Sequence, residues 1–166
     1  GIAGRNALIT GGSQGIGRAS AEALATEGVN LVIVARDAER LSAAASEIGS
    51  NRTGRVIPIA GDITVAKEVE RVVKEADNAL GQIDILVNNA GSAPLGFIGD
   101  LSDEVWQSCF DLKLMGYVRC SRAVMGAMRG RKWGRIINII GRGGHFPTAK
   151  YIAGGAINAA ILNITQ

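Results

Sequence analysis

Residues 8–17 read Leu-Ile-Thr-Gly-Gly-Ser-Gln-Gly-Ile-Gly, and this stretch decides the fold. The apolar residues 7–9 predict a strand, and apolar positions after the last glycine recur at helical spacing. Glycines let a ligand approach the backbone closely, and a helix N-terminus presents unpaired N–H groups to an anion. A plain loop is the alternative, which the strand before it and the helix after it disfavour. The stretch therefore predicts a phosphate-binding turn.

The rest of the chain alternates apolar runs with helical stripes. We expect further strands at residues 30–35, 55–60, 83–87 and 134–140. Thr64 is the expected N-cap of one helix, a long helix is expected over residues 102–129, and the last helix is expected to begin near Thr148. Repeated strand–helix units imply right-handed crossovers. The sequence thus predicts an α/β fold with a doubly wound parallel sheet and helices on both faces, of the Rossmann type.

Composition is typical of one soluble domain over residues 1–166. The chain has 166 residues, of which 47% are hydrophobic and 20% charged, so it can bury a sizeable core. The longest apolar runs are strand-length and too short to cross a bilayer. No signal peptide is recognisable at the start, because Arg5 and Asn6 lead directly into the first strand. We therefore expect a cytoplasmic protein.

The net charge of +3 raises the question of nucleic-acid binding. The densest basic cluster, residues 129–135, falls at an expected helix C-terminus, where cations are favourable, and we expect no nucleic-acid partner. Cys109 and Cys120 lie three turns apart on nearly one face of the expected long helix. They are too distant for a disulfide, so a packing role is expected. His145 is the only histidine, which makes a metal site improbable.

The motifs that carry chemistry each follow a strand. Arg36, Asp62, residues 88–91 and residues 141–151 come after the second to fifth strands, in that order. In an open parallel sheet, ligands bind beyond the carboxyl ends of the strands, where the strand order reverses. We therefore expect all these residues and the glycine turn at one rim of the sheet.

The chain resembles the short-chain dehydrogenase/reductase family. Its glycine spacing, T-G-x-x-x-G-I-G, is that family's form of the turn. Val-Ala-Arg-Asp at residues 34–37, Gly-Asp at 61–62, Asn-Asn-Ala-Gly at 88–91 and Tyr151 follow in the family's order. The resemblance covers the whole chain and implies a nicotinamide dinucleotide as cofactor. The cofactor-binding candidates are Gly11, Ser13, Gln14, Gly15, Ile16, Gly17, Arg36, Asp62, Ile63, Asn88, Ala90 and Gly91.

The end of the second strand bears on the choice between NADP and NAD. A carboxylate there usually binds the ribose hydroxyls of NAD, whereas an arginine accommodates the 2′-phosphate of NADP. Here the residues are Ala35 and Arg36, and a guanidinium matches a phosphate dianion well. The alternative is that Arg36 merely begins a solvated helix, with Asp37 in its first turn. We expect NADP(H), with NAD less favoured.

The resemblance implies a catalytic tyrosine, lysine, serine and asparagine, and only the tyrosine is present. Tyr151 matches the acid/base, but Gly155 stands four residues later, where the family has lysine. No serine stands at Ile140 or Gly141, and Lys113 fills the asparagine position. We hypothesise that Lys113 brings its ammonium back towards Tyr151 or the nicotinamide ribose. A surface lysine without a role is the alternative.

Other residues near Tyr151 bear on the same site. His145 is a second hydrogen-bond donor to consider in place of the serine, although a lone loop histidine is more often inert. The pair Gly154 and Gly155 inside a helix predicts that the cofactor or a neighbouring helix approaches that backbone closely.

Two functions remain open. The first is an NADP(H)-dependent oxidoreductase acting on a small-molecule carbonyl or alcohol, and the second is a catalytically weak or inactive dinucleotide-binding protein of the same fold, such as a sensor or an assembly subunit. Family members commonly form dimers or tetramers, and the stripe of Cys109, Leu112, Gly116 and Cys120 would suit such packing. Because the last helix is expected to continue at Gln166, we expect more native chain after it.

Overall fold

The computed structural model describes residues 1–50 and 54–166, and its core is one five-stranded parallel sheet. The strands are β1 Asn6–Thr10, β2 Asn30–Ala35, β3 Val56–Ala60, β4 Ile85–Asn88 and β5 Arg135–Asn138. They lie in the order β3-β2-β1-β4-β5. The strand order therefore reverses between β1 and β4.

Helices connect the strands and cover both faces of the sheet. They are α1 Gly15–Thr26, α2 Ala38–Gly49, α3 Ala66–Leu80, α4 Asp103–Cys109, α5 Gly116–Gly130 and α6 Ile152–Ile164. A π-helical segment, Phe110–Met115, joins α4 to α5, and a 3₁₀ turn, Arg142–Gly144, precedes α6. This architecture confirms the predicted α/β doubly wound fold.

The core has a layer on each side of the sheet because successive strand residues point to opposite faces. Leu8 of β1 packs with buried residues of α3 and α5, including Val72 and Val124. Its neighbour Ile9 packs on the other side with residues of α1 and α2, including Leu41. Residues buried on both faces explain why these strands read as continuous apolar runs.

The observed ends of every strand except β2 differ from the expected ones by one or two residues, most of all at β4 and β5. The strand expected at 134–140 ends at Asn138 because β4 ends at Asn88, and the last ladder hydrogen bond runs from the Ile139 N–H to the Asn88 carbonyl. The strand expected at 83–87 begins at Ile85. Ile83 is nevertheless buried, because it packs under the sheet before the ladder begins.

Thr64 is not a helix cap, contrary to the prediction. Val65 occupies the N-cap position of α3, and the Thr64 N–H donates instead to the Asp62 carboxylate at 2.9 Å. Thr64 is thereby held in the turn before the helix, one residue too early to cap it.

The expected long helix is interrupted, and this separates the two cysteines. The wider π-helical turns between α4 and α5 change the register of the residues that follow. Cys109 therefore packs with Ile157 and Ile161 of α6, whereas Cys120 packs in the layer beneath the sheet. The prediction of a shared face is wrong.

The interface expected on the Cys109, Leu112, Gly116 and Cys120 stripe needs the same correction. Cys109, Gly116 and Cys120 are buried within the chain itself, and Leu112 packs against the core below the sheet. These side chains are already used by the fold and do not form an outer surface.

The last helix begins at Ile152 and not near Thr148. The Gly96 N–H donates to the Lys150 carbonyl at 2.9 Å, and Gly96 forms a parallel bridge with Tyr151. The Tyr151 N–H donates to the Thr148 carbonyl at 3.1 Å, so residues 148–151 form a turn, and Tyr151 is the N-cap of α6. None of the helices in residues 1–50 and 54–166 combines the length and the apolar character needed to cross a membrane.

Candidate active site

A cleft of about 790 Å³ lies at the carboxyl edge of the sheet, where the strand order reverses. It is lined by segments that follow β1, β2, β3, β4 and β5. The predicted site residues that line it are Gly11, Ser13, Gln14, Gly15, Ile16, Arg36, Asp62, Ile63, Ala90, Gly91 and Lys113. Gly17, Asn88 and Tyr151 are not among its lining residues.

The glycine turn forms the floor of the cleft between β1 and α1. Gly11 and Gly15 have φ angles of +69° and +57°, which favour glycine. A Cβ at Gly15 would meet no atom within 4 Å, so the turn is open at this point. A Cβ at Gly17 would collide with the Gly11 carbonyl and the Asn89 amide. Gly17 therefore supports the turn from beneath.

The N-terminus of α1 faces this cleft without a side-chain cap. Gln14 is the N-cap residue, and its side chain makes no capping hydrogen bond. No acidic residue lies in the first turn, so nothing there repels an anion. An uncapped helix start beside an open glycine cradle fits a pyrophosphate.

Thr10 and Asn89 hold the turn in place, and the sequence interpretation missed both. The Thr10 hydroxyl accepts hydrogen bonds from the N–H groups of Asn89 and Ala90 at 3.0 and 3.1 Å. The Asn89 amide donates to the carbonyls of Thr10 and Gly11 at 3.0 and 3.2 Å. The Asn-Asn-Ala-Gly motif could have pointed to an asparagine at this place. Only the three-dimensional contacts show that Asn89, and not Asn88, faces the glycine turn.

Asn88 has a different position from the one predicted. It is fully buried, and its amide donates to Ser121 at 3.1 Å and to Asn138 at 2.9 Å. The side chain therefore joins β4 to α5 and β5, in agreement with its expected role in the central sheet. It does not lie against the cleft.

Two arginines line the end of the cleft next to β2. Arg36 is exposed and has no hydrogen bond or ion pair within the described ranges. Asp37 is the N-cap of α2 and accepts from the Arg40 N–H at 3.0 Å, so this carboxylate is engaged by the helix. Arg40, which sequence interpretation missed, donates to Gln14 at 3.0 Å. The pair gives this end of the cleft a positive charge that fits a phosphate.

Asp62 and Ile63 form the wall after β3. One oxygen of the Asp62 carboxylate accepts from the Thr64 N–H, and the side chain lines the cleft. Ile63 is buried against Gly116, where a Cβ would lie 2.7 Å from its Cδ1. The wall thus combines one carboxylate with an apolar surface.

Lys113 enters the cleft from the π-helical segment. Its aliphatic chain packs on Gly91, where a Cβ would lie 2.8 Å from the lysine Cδ. The ammonium donates to the Asn158 side chain at 2.7 Å and lies 6.0 Å from the Tyr117 ring centroid. Burial lowers the pKa of this lysine. The lysine is therefore held at the cleft and is not a free surface side chain.

Tyr151 lies beyond the cleft wall. Its ring packs over Gly154 and beside Gly143, where a Cβ would lie 3.0 Å from the ring. The predicted close approach to the glycine pair is made by this ring and by the Gly143 carbonyl, 3.2 Å from where a Cβ on Gly155 would lie. Gly143 belongs to the 3₁₀ turn Arg142–Gly144, so a neighbouring helical segment makes the approach at Gly155. Within the described residues, Lys113 bonds Asn158 and makes no hydrogen bond to Tyr151.

Gly141 stands at a position where the family resemblance led us to look for a catalytic serine. Gly141 lines the cleft, and the Asn158 amide lies beneath it, 2.8 Å from where a Cβ would be. His145 is exposed and is not among the cleft residues.

Comparison with known proteins assigns the family. The family model described as short chain dehydrogenase matches residues 5–166. The chain is 35% identical over 156 residues to the 3-oxoacyl-[acyl-carrier-protein] reductase FabG of Escherichia coli, covering 92% of this chain and 62% of that protein. It is 37% identical over 160 residues to an uncharacterized oxidoreductase of Staphylococcus saprophyticus, covering 96% and 68%.

The fold comparison agrees. L-sorbose reductase from Gluconobacter frateurii, solved with NADPH and L-sorbose, superposes with a TM-score of 0.94 at 36% identity. The match covers 99% of this chain and 62% of that one. The chain thus spans about two thirds of the length of the proteins it matches. By sequence and by fold, it belongs to the short-chain dehydrogenase/reductase family.

Proposed function

We propose that this chain is the nucleotide-binding part of an NADP(H)-dependent oxidoreductase that transfers hydride between the nicotinamide and a carbonyl or alcohol substrate. The proposal rests on one observation: an uncapped helix start, an open glycine cradle, two arginines and a lysine ammonium line one cleft. Family membership supports a nicotinamide cofactor.

The preference for NADP is part of the proposal. Arg36 and Arg40 lie at the end of β2, and Asp37 is engaged as a helix cap. The carboxylate at this end of the cleft, Asp37, is paired with the Arg40 side chain at 3.6 Å as well as with its N–H, which disfavours its use for the ribose hydroxyls of NAD. The sorbose reductase that superposes on the chain was solved with NADPH.

The cofactor, when bound, supplies hydride chemistry, and the chain holds it and manages the proton. We propose that residues 11–17 bind the pyrophosphate through backbone N–H groups and that Asp62 and Ile63 bind the adenine. Ala90 and Gly91 would lie against the adenosine ribose. Arg36 would pair with the 2′-phosphate.

Proton transfer is proposed to involve Tyr151 and Lys113. Forming a phenolate at neutral pH is unfavourable for a tyrosine, and a nearby cation favours it. Among the cations that line the cleft, we propose the Lys113 ammonium for this role, because Asn158, on the helix that Tyr151 caps, holds it at 2.7 Å. Tyr151 would act from beside Gly143, next to the cleft residue Gly141.

A second function is supported by a specific observation. Tyr151 is not among the residues that line the cleft, and its ring packs over Gly154. This favours a dinucleotide-binding protein with little or no dehydrogenase activity, such as a sensor or an assembly subunit.

A homodimer or homotetramer in the cytoplasm is proposed from the family alone.

Calorimetric titration with NADPH and NADH, followed by carbonyl reduction assays, distinguishes these functions. We expect tighter binding of NADPH, turnover with carbonyl substrates, and a large loss of turnover in Lys113→Met and Tyr151→Phe. Lys74→Met, an exposed lysine on α3, is the matched control. NADPH binding without turnover would support the second function, and binding of neither cofactor would contradict both.

A further inference from the structure

Asn158 is the buried partner of the cleft lysine. It lies on α6, 45 residues from Lys113, and is fully buried. Its Oδ1 accepts a hydrogen bond from the Lys113 ammonium at 2.7 Å. Burying an amide without hydrogen bonds is unfavourable, so this contact is the main polar interaction that justifies Asn158 in the core.

The orientation of the Asn158 amide follows from the chemistry of lysine. An ammonium only donates hydrogen bonds, so Oδ1 must face it and Nδ2 must face away. Nδ2 has no partner in the described part of the chain, and it lies beneath Gly141. A side chain at Gly141 would collide with this amide, so glycine there and asparagine at 158 belong to one arrangement.

The ammonium keeps donors for a ligand. Of its three N–H groups, one is used by Asn158, and no second acceptor for it is found within residues 1–50 and 54–166. Its stem is fixed by Gly91 on one side and the Tyr117 ring lies on another. The remaining donors are available to an oxygen acceptor in the cleft, such as a ribose hydroxyl or a substrate carbonyl.

We propose that Asn158 is a positioning residue, which fixes the Lys113 ammonium at the cleft and keeps it charged. This inference rests on the proposed function for its catalytic meaning, but the positioning itself is a property of the folded chain. It therefore predicts a change in lysine titration that does not depend on turnover.

The test follows the Lys113 Cε signal by NMR in protein labelled with ¹³C-lysine, over a pH range. Lys113→Met assigns the signal. Asn158→Asp is isosteric and places a carboxylate on the ammonium, so the titration midpoint should rise by about one to three pH units. Asn158→Leu removes the acceptor and should lower the midpoint. Asn163→Asp and Asn163→Leu, at an exposed site on the same helix, should leave it unchanged.

The neighbouring charges are the same in all these variants. Arg36, Asp37, Arg40 and Asp62 share the cleft with Lys113. Tyr117 packs behind it, and burial raises the pKa of this phenol, so it stays neutral. A shift seen in the Asn158 variants alone is therefore caused by the contact with Lys113.

Activity gives the second readout. At saturating NADPH, Asn158→Leu should lower kcat about tenfold to a hundredfold, and Asn158→Asp should move the pH dependence of kcat with the NMR midpoint. An unchanged Lys113 midpoint in both Asn158 variants, with intact folding by circular dichroism, would overturn the proposal. If the unmodified protein shows no turnover but the midpoints shift, the positioning stands and the proposed oxidoreductase function fails.

Discussion

The hydroxyl of Thr10 accepts a hydrogen bond from the backbone N–H of Asn89 at 3.0 Å, across 79 positions of the chain. This contact joins the ends of β1 and β4, the two strands between which the cleft opens. In the other direction, the Asn89 side-chain amide donates hydrogen bonds to the carbonyls of Thr10 and Gly11. The turn is therefore held by the neighbouring strand as well as by its own backbone.

Thr10→Val should destabilise the fold by about 1–3 kcal/mol, because two partly buried N–H groups, of Asn89 and Ala90, lose their acceptor. Urea unfolding measures the change. Thr10→Ser keeps the hydroxyl and should retain most of the stability. Equal stability of the valine and serine variants would contradict this role of the hydroxyl.

Gly17→Ala should destabilise the protein by about 1–3 kcal/mol and weaken nucleotide binding, because the new methyl meets the Gly11 carbonyl and the Asn89 amide. Gly126→Ala is the control. It lies exposed on α5 with open space at its Cβ, so alanine should stabilise the helix by about 1 kcal/mol. Relative to the unmodified protein, the melting temperature should fall in Gly17→Ala and rise in Gly126→Ala. A shift of both melting temperatures in the same direction would refute the packing argument.

Arg36→Ala should raise the Kd for NADPH about tenfold to a hundredfold, because a charge-assisted hydrogen bond to the 2′-phosphate is lost. Binding of NADH, which lacks that phosphate, should change little. Arg122→Ala removes the same charge from an exposed position of α5 and controls for net charge. Calorimetric titration measures the affinity for both cofactors. Equal losses of affinity for NADPH and NADH would show that Arg36 does not bind the 2′-phosphate.

Cys120 should resist alkylation in the folded protein. Burial raises the pKa of its thiol to about 12, so only about one thiol in 10⁴ is ionised at pH 8. Because the folded state favours the neutral thiol and buries it, reactivity should appear after unfolding. Iodoacetamide labelling followed by mass spectrometry should modify Cys120 in urea and not in buffer. Rapid labelling of native protein at pH 8 would contradict the burial.

Much of the fold was predictable because short stretches of the sequence carry the apolar patterns of strands and helices. Apolar runs and helical stripes marked all five strands and the covering helices, and the bounds of β2 were predicted to the residue. The break between α4 and α5 was not predictable, because the apolar residues of 102–129 fit one continuous helical pattern and nothing in that pattern marks the π-helical segment. The start of α6 was misplaced because a turn over residues 148–151 and the bridge between Tyr151 and Gly96 precede the helix, and that bridge crosses 55 positions of the chain.

The candidate site was predictable to a similar extent. The glycine turn, Arg36 and Asp62 follow strands, and strands of one parallel sheet end at one rim, so their shared cleft could be foreseen. Arg40 was missed because it reaches the cleft from the first turn of α2. Asn89 was missed because two neighbouring asparagines are equivalent in the motif, and only the pleat of β4 buries one of them and turns the other to the glycines.

The sequence by itself determined the α/β class, the order of the strands and helices, and the glycine-rich turn between β1 and α1, because each depends on residues close together in the chain. The tertiary structure alone decided which groups meet in the cleft. Lys113 donates a hydrogen bond to Asn158, Thr10 accepts one from Asn89, and the Tyr151 ring packs over Gly154. The first two contacts join distant segments, and the third depends on how α6 begins, so the packing of the whole chain decides all three.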